Sequence, residues 1–359
     1  MINEPLAAYG FRSGALRPSR CAANLRAPMP APKKSAPRAR RASRVAAPPP
    51  REGALLVAIL SRNPRLYSTR RLMEAAAHLG LATRVLDTLR CDMVVAREAP
   101  RILYGGEDLV APDIHVVIPR IGASITGYGT AVVNQLELMG VPVLAAATPI
   151  ARSRDKLRAL QLLSRFGIDV PRTVMCRFRE EVPQAVEMVG GLPCIIKLIQ
   201  GTQGVGVMLA TTMAEVQGML EALWTLGQEI LLQELVAESR GKDVRALVVG
   251  DRVVGAMRRT AREGEFRSNI HRGGSAEAVE LSREFGEAAV KAARVMGLEV
   301  AGVDMLEART GPKIMEVNSS PGFEGLEAAT GKDIATPYVQ HAVEFAHARH
   351  SGYAGRHIA

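Results

Sequence analysis

The chain has 359 residues, 47% of them hydrophobic, which is enough for about two to three domains with full cores. Its net charge of +10 comes almost entirely from residues 1–52, which hold eleven Lys or Arg and two acids, since the rest carries 35 bases and 34 acids. This excludes a basic core for direct nucleic-acid binding, and the lack of a run of about eighteen apolar residues argues against a membrane span.

The cysteines and histidines lack the spacing of a zinc site. Cys21, Cys91, Cys176 and Cys194 form no CxxC pair, and the seven histidines form no HxxxH or HExxH pattern. We therefore expect free thiols and a cytoplasmic location.

Residues 1–52 are predicted to be a disordered arm, because they contain nine prolines and no hydrophobic period that could build a core. The arginine-rich, acid-poor composition resembles a transit peptide, but the prolines oppose an amphipathic helix. An extended start or a basic interaction arm fits equally well. We place no catalytic residue in it.

Residues 53–147 are predicted to form a parallel α/β domain. The apolar run ALLVAIL is typical of a buried parallel strand, and a helix capped by Ser68 follows it. Further strands are expected at residues 83–86, 114–118 and 141–144, with a helix at 130–139. The loop PRIGASITGYG follows the third strand, where open α/β sheets bind ligands, so it supplies the substrate-side candidates Arg120, Ser124 and Tyr128.

Residues 148–236 are predicted to form a second α/β region around a glycine-rich hairpin. Gly201, Gly204 and Gly206 lie between two apolar strands, so the dinucleotide-binding fingerprint does not apply. Such a hairpin can close over nucleotide phosphates, although a plain flexible hairpin would have the same sequence. Lys197, within the apolar run CIIKLI, could reach those phosphates, or its side chain could extend to solvent at a strand edge. A helix is expected over residues 153–166.

Residues 237–348 are predicted to form a third region, followed by a tail at 349–359. A hairpin leads into a cationic segment, residues 258–274, which is either a solvated loop or an anion-binding surface for phosphate and a carboxylate-rich substrate. Its cationic residues are Arg258, Arg259, Arg262, Arg267, His271 and Arg272. A helix at 280–296, a strand at 300–307, a strand-like run at 313–322 that ends in a Pro-Gly turn, and a closing helix at 334–348 complete the region.

Two apolar runs near the end carry a candidate metal site. Glu316 and Asn318 share one face of a strand because strand side chains repeat with period two, and an adjacent strand would add Asp304. Oxygen ligands without thiolate or imidazole fit Mg²⁺ or Mn²⁺. The alternative is two solvated acids and a turn-forming asparagine.

The chain resembles the ATP-grasp superfamily, and more closely the RimK-type glutamate ligases, over about residues 55–348. The motifs that carry this resemblance, in order, are SRNPRLYSTRRL, PRIGASITGYGTA, ARSRDKLRALQLL, IIKLIQGTQGVGV, KDVRALVVGDRVVGAMRR, FRSNIHRGG and AGVDMLEARTGPKIMEVNSSPG. The resemblance implies an α/β and α+β fold, in which the parallel α/β domain precedes two ATP-grasp subdomains.

The resemblance also implies residue roles. Lys197 and Arg267 would stabilise the transferring phosphate, and Lys156 is a further nucleotide candidate. Leu235 departs from the aromatic residue that related sequences often have. The implied ATP contacts at adenine are Glu234 and Leu235, and Asp243 is implied at the ribose. The contacts on the phosphate side are Lys197, Gly201, Gly204, Gly206, Arg267, Ser268 and Asn269. The implied ligands of two Mg²⁺ or Mn²⁺ ions are Asp304, Glu316 and Asn318.

The implied activity is ATP-dependent addition of glutamate through an acyl phosphate, with release of ADP and phosphate. The implied acceptor is the C-terminus of a small-subunit ribosomal protein, or poly-α-glutamate, and another small molecule or a carrier protein is the alternative. A homo-oligomer is also implied. A different class of function is a ribosome- or RNA-associated binding protein that acts through the basic arm.

Overall fold

The computed structural model describes residues 54–97, 99–109, 113–199, 206–262, 265 and 273–353, all within one compact unit. None of the helices in these ranges combines the length and apolar character of a membrane span. Cys91, Cys176 and Cys194 are free thiols, as predicted. The predicted arm lies outside the described residues.

The N-terminal region is built on a three-stranded parallel sheet, in the order β2-β1-β6, which confirms the predicted sheet. Its elements are β1 (Leu56–Leu60), α1 (Tyr67–His78), β2 (Ala82–Leu86), β3 (Cys91–Val94), β4 (Arg101–Tyr104), β5 (Glu107–Asp108), β6 (Ile114–Pro119) and α2 (Thr126–Leu138). The central strand β1 is buried because both faces of the sheet are covered.

Three details of this region differ from prediction. Strands β3, β4 and β5 form a separate antiparallel sheet that the sequence pattern did not indicate. The strand expected at 141–144 is a single bridge between Val143 and Val117. Ser68 lies inside α1, whose cap is Leu66 without a side-chain hydrogen bond, so the predicted cap was wrong.

The middle region has a four-stranded antiparallel sheet in the order β7-β10-β8-β9. Its elements are α3 (Ala147–Arg154), α4 (Lys156–Arg165), β7 (Thr173–Val174), α5 (Val182–Met188), β8 (Cys194–Leu198), β9 (Val207–Ala210), α6 (Met213–Thr225) and β10 (Ile230–Glu234). The helix predicted over 153–166 is two helices, because Asp155 adopts an extended conformation and its carboxylate caps α4 by accepting from the Arg158 amide.

The C-terminal region has a five-stranded antiparallel sheet in the order β13-β12-β11-β14-β15. Its elements are β11 (Lys242–Val249), β12 (Arg252–Thr260), β13 (Ser275–Ala278), α7 (Arg283–Met296), β14 (Val300–Ala308), β15 (Gly311–Asn318), α8 (Glu324–Thr330) and α9 (Ala335–Tyr353). The amphipathic helix α7 buries alanines against this sheet and ends at Gly297, whose left-handed conformation suits glycine.

The segment that follows β15 forms hydrogen bonds with the N-terminal half of the chain. Ser319 accepts a hydrogen bond from Ser153 at 2.9 Å, and the Pro321 carbonyl accepts from Arg120 at 2.8 Å. One buried core cluster also joins residues of β1 and β6 to residues of β11 and α9. The end of β15 therefore has a fixed position beside the end of β6.

Candidate functional site

The three predicted metal residues lie together on the β14–β15 pair. Asp304 is directly opposite Glu316, and Asn318 lies two residues further along β15, opposite Gly302. Opposite residues of an antiparallel pair project from the same face, so the oxygen-bearing groups share that face. Within the described ranges, no three His, Cys, Asp or Glu side chains cluster as metal ligands, so the candidate set is two carboxylates and one amide.

Two arginines surround Asp304, and sequence reasoning missed both as partners. Arg245 donates from Nε and Nη2 to the two carboxylate oxygens, each at 2.6 Å, and Arg259 Nη2 approaches at 3.1 Å. Burial alone would raise the pKa of Asp304, but the two guanidinium groups outweigh it and lower the pKa to about 2. Asp304 is therefore ionised, and most of its lone pairs are already engaged.

Glu316 has the opposite electrostatic environment. Burial raises the pKa of this carboxyl, the neighbouring charge of Asp304 raises it further, and Lys156, Arg245 and Lys197 oppose the shift. A buried carboxylate beside another carboxylate is stabilised by a bound cation. Asn318 adds an amide whose Nδ2 is buried without a hydrogen-bond partner among the described residues. Together these groups fit a hard, oxygen-preferring divalent cation.

Two lysines bring positive charge to the same place. Lys197, in the middle of β8, is 8% exposed, and burial lowers its pKa to about 8, with Glu316 opposing and Lys156 adding to the shift. Lys156, at the start of α4, donates to the carbonyl of Ile199 at 3.0 Å. Burial also lowers the pKa of Lys156, and Glu316 opposes that shift. The structure thus brings both candidate ATP lysines within electrostatic reach of Glu316.

The predicted adenine linker borders a cavity of about 640 Å³. Glu234 and Leu235 line it, but Lys197 and the metal candidates do not. The Glu234 carboxylate accepts from Lys313 at 2.6 Å and from Arg172 Nε at 3.3 Å, which ties β10 to β15. A nucleotide contact at this linker would therefore come from main-chain atoms or from Leu235.

The remaining ATP candidates have different outcomes. Asp243 is buried and its oxygens accept from Arg259 at 2.6 and 2.8 Å, so its carboxylate is engaged inside the protein. Gly206 has φ +76°, and a Cβ there would lie 2.6 Å from the side chain of Leu198, so glycine is required. The rest of the hairpin loop and the FRSN segment lie outside the described residues, namely Gly201, Gly204, Arg267, Ser268 and Asn269.

The first residues of the predicted cationic loop lie in a strand. Arg258 and Arg259 belong to β12, where Arg258 pairs with Glu307 at 2.7 Å and Arg259 with Asp243. Carboxylates on neighbouring strands pair with these two arginines, so both are engaged within the sheet, and anion binding by the rest of the segment stays a prediction. Arg267, His271 and Arg272 lie outside the described residues.

The N-terminal candidates separate into one that reaches the site and two that do not. Arg120 donates a hydrogen bond to the Pro321 carbonyl in the segment after β15. Tyr128 instead donates to the Cys91 carbonyl at 2.9 Å, and Ser124 is exposed. Arg154, at the end of α3, was not predicted. Burial lowers the pKa of its guanidinium group, the charge of Glu316 opposes that shift, and the charge of Arg120 adds to it. The sequence ARSR contains both Arg152 and Arg154, and it does not show which of the two faces the site.

Known proteins resemble the chain in sequence and in fold. The family model for the RimK-like ATP-grasp domain matches residues 153–341, and that for the RimK pre-ATP-grasp domain matches residues 55–150. A probable alpha-L-glutamate ligase of Nitrosococcus oceani is 54% identical over 284 residues, which cover 79% of this chain and 94% of the relative.

A probable alpha-L-glutamate ligase of Ectopseudomonas mendocina is 53% identical over 285 residues, with the same two coverages. Among solved structures, the ATP-grasp ligase PsnB complexed with a minimal precursor, Mg and ADP superposes with a TM-score of 0.63 at 23% identity. That match covers 81% of this chain and 98% of PsnB, and it shows a shared fold.

Proposed function

The chain belongs to the RimK-like ATP-grasp family of ligases, and from this premise we propose that it is an ATP-dependent α-L-glutamate ligase. The observation that carries the proposal is the opposed pair Asp304 and Glu316, which lies within electrostatic reach of Lys197. Metal-holding carboxylates and a lysine near the phosphates recur in enzymes that transfer phosphoryl groups. The names of the two curated relatives supply glutamate as the substrate.

The proposed chemistry begins with activation of a carboxylate. A free carboxylate resists attack by an amine, because its leaving group would be oxide. A carboxylate oxygen therefore attacks the γ-phosphorus of ATP, ADP leaves, and an acyl phosphate forms. The amine of glutamate then attacks the acyl carbon, phosphate leaves with the carboxylate oxygen, and an amide results.

The residues of the site have separate tasks in this scheme. Lys197, with Arg267 from the resemblance, stabilises negative charge on the transferring group. Glu316, Asn318 and Asp304 would hold one or two Mg²⁺ or Mn²⁺ ions, and a cation there would neutralise phosphate charge. The hairpin loop at residues 201–206 excludes water that would hydrolyse the acyl phosphate.

The proposed acceptor is the C-terminal carboxylate of a small-subunit ribosomal protein or of poly-α-glutamate, with another small molecule or a carrier protein as the alternative. These acceptors come from the family resemblance. All of them present a carboxylate that the same scheme activates.

The test is product identity. We would incubate the protein with ATP, Mg²⁺, glutamate and either tetra-α-glutamate or a peptide with the ribosomal C-terminus, and then analyse the products by mass spectrometry. We expect acceptor masses that rise by whole glutamyl residues, together with ADP and phosphate. Release of AMP, or nucleotide turnover without a glutamylated product, would contradict the proposal.

A further inference from the structure

Two arginines beside the metal candidates carry hydrogen-bond donors that the described residues leave without acceptors. Arg120 follows β6, and its Nη2 donates to the Pro321 carbonyl at 2.8 Å. Arg154 ends α3, and its Nη2 donates to the Ile121 carbonyl at 2.6 Å. Arg120 Nη1 and Arg154 Nε are buried and have no partner among the described residues.

Burial of such donors is costly unless a ligand completes them. A buried donor without an acceptor destabilises a protein, and hydrogen bonds from charged groups are the most costly to leave unmade. Arg120 and Arg154 also repel each other. Burial is the main cause that lowers the pKa of Arg154, and the positive charge of Arg120 lowers it further. Two guanidinium groups that each keep one buried donor nitrogen without a partner among the described residues therefore indicate an anion-binding site.

The charge balance around the pair favours an anion as well. Glu316 is the carboxylate that acts on Arg154, and it also faces Lys156 and Lys197. Asp304 also acts on Glu316, but Arg245 and Arg259 both contact its carboxylate and offset its negative charge. Positive charge therefore exceeds negative charge on this side of the site.

The surrounding hydrogen bonds hold the pair in place. The Arg120 amide donates to the Leu60 carbonyl at 2.9 Å, which ties the residue to β1. Next to Arg154, the Ser153 hydroxyl donates to Ser319 at 2.9 Å, and this anchors α3 to the segment after β15. Guanidinium groups fixed in this way match the planar, two-oxygen geometry of a carboxylate.

We propose that Arg120 and Arg154 together bind a substrate carboxylate next to Glu316. This inference rests on the proposed function and names the substrate contact that the metal candidates do not supply. The carboxylate belongs either to the incoming glutamate or to the C-terminus of the acceptor. Both sources share the same chemistry, and titration with each ligand distinguishes them.

The test compares Arg120→Gln and Arg154→Gln with wild type and with Arg158→Gln. Arg158 is a matched control, because it lies on the adjacent helix, is 77% exposed and pairs with Asp155. Calorimetric titration with L-glutamate, tetra-α-glutamate and ADP, each with Mg²⁺, gives three affinities per variant. We expect both site variants to bind one of the two carboxylate ligands roughly 10- to 100-fold more weakly with ADP affinity unchanged, whereas loss of the hydrogen bond to Pro321 or Ile121 lowers the melting temperature.

A conservative variant separates recognition from packing. Arg154→Lys keeps the charge but lacks the paired N–H groups, so we expect it to recover part of the lost affinity. The inference is overturned if both glutamine variants bind glutamate and tetra-α-glutamate as wild type does. It is also overturned if ADP affinity and melting temperature fall in parallel, or if wild type binds neither carboxylate ligand.

The outcomes also separate this inference from the proposed function. If wild type binds a carboxylate ligand and the variants lose it, but wild type makes no glutamylated product, the ligase proposal fails while the carboxylate site stands. If wild type ligates glutamate and the variants match its affinities, the carboxylate site alone fails.

Discussion

Asp304 and Glu316 lie opposite each other on adjacent strands but are held in opposite electrostatic states. Arg245 and Arg259 stabilise the ionised form of Asp304, whereas burial and the charge of Asp304 raise the pKa of Glu316. A pair of titratable groups whose pKa values are pushed apart is typical of an active site. We infer that Asp304 anchors the network and that Glu316 is the more available cation ligand.

Replacing Glu316 tests this division. We expect Glu316→Gln to lower glutamate-dependent ADP formation roughly 100- to 1,000-fold, with an unchanged melting temperature, because the variant removes an unfavourably buried charge. Asn318→Ala should also weaken metal-dependent turnover with little loss of fold. The assay is steady-state ADP release at varied Mn²⁺ and Mg²⁺ concentrations.

A second glutamate on the same strand pair provides the control. Glu307 lies on β14, is 36% exposed and pairs with Arg258, so Glu307→Gln should retain turnover. If Glu316→Gln kept the turnover and the metal dependence of wild type, Glu316 would be removed from the ligand set.

Some residues of this site could be predicted from the sequence, and others could not. Glu316 and Asn318 were predictable because their spacing in an apolar run places both on one face. Arg245 was not, because it lies 59 residues from Asp304 and only the β11–β14 register brings them together. Arg154 was hidden for the same reason, since its neighbours Ile121 and Glu316 come from distant parts of the chain.

Helices α1 and α8 are joined by a carboxylate on α8. Glu327 accepts from the Tyr67 hydroxyl at 2.6 Å and from Arg71 Nε at 2.9 Å, and it also caps the Ile334 amide. Burial alone would raise the pKa of Glu327, but the hydrogen bonds from Arg71 and Tyr67 outweigh it and lower the pKa. The ionised carboxylate thus stabilises contact between the first helix and the C-terminal region.

Neighbouring arginines on α1 test this contact. We expect Arg71→Gln to lower the free energy of unfolding by about 1–3 kcal/mol at neutral pH, because it removes a charged hydrogen bond to Glu327. Arg70→Gln should change it by less than about 0.5 kcal/mol, because Arg70 makes a half-buried i,i+4 pair with Glu74 and no bond to Glu327 is recorded for it among the described residues. Urea denaturation of both variants measures the difference.

The effect should depend on pH with a definite sign. Because the pKa of Glu327 is lower in the folded chain than in the unfolded chain, its contribution is present above the unfolded pKa. The contribution is lost as the pH falls through the lowered, folded pKa. An Arg71→Gln deficit that stayed constant into strong acid, or that Arg70→Gln matched, would contradict this account.

Long, strongly patterned elements were predictable, and short or interrupted ones were not. The buried strand β1 and the pair β14 and β15 follow from continuous apolar runs. The sheet of β3, β4 and β5 was missed because its strands have two to four residues and carry charged side chains. The break between α3 and α4 depends on the cap at Asp155, which the apolar period does not reveal.

The whole chain divides into a basic arm and a nearly neutral remainder. Residues 1–52 hold nine of the ten net positive charges, and the family match begins at residue 55. The N- and C-terminal regions share a buried core, so the catalytic proposal concerns the chain from residue 54 onward. The arm is the part whose role the family does not explain.

Deletion of residues 1–52 tests that division. We expect the shortened chain to keep the ATP turnover and the product pattern of the full chain, because the candidate site lies beyond the deletion. If the arm binds RNA or ribosomes, that binding should weaken steeply with salt in the full chain and disappear in the shortened one. A shortened chain that folds but loses turnover would place the arm in the catalytic unit.

The most direct test of the central claim follows one oxygen atom. The terminal carboxylate of the acceptor and the α-carboxylate of glutamate are both labelled with ¹⁸O at both oxygens, ligation is run with ATP, and the released phosphate is analysed by mass spectrometry. An acyl phosphate requires the attacking carboxylate oxygen to leave with phosphate, so the account predicts one ¹⁸O per phosphate for each glutamate added. Unlabelled phosphate alongside glutamylated product, or label found in AMP, would contradict it.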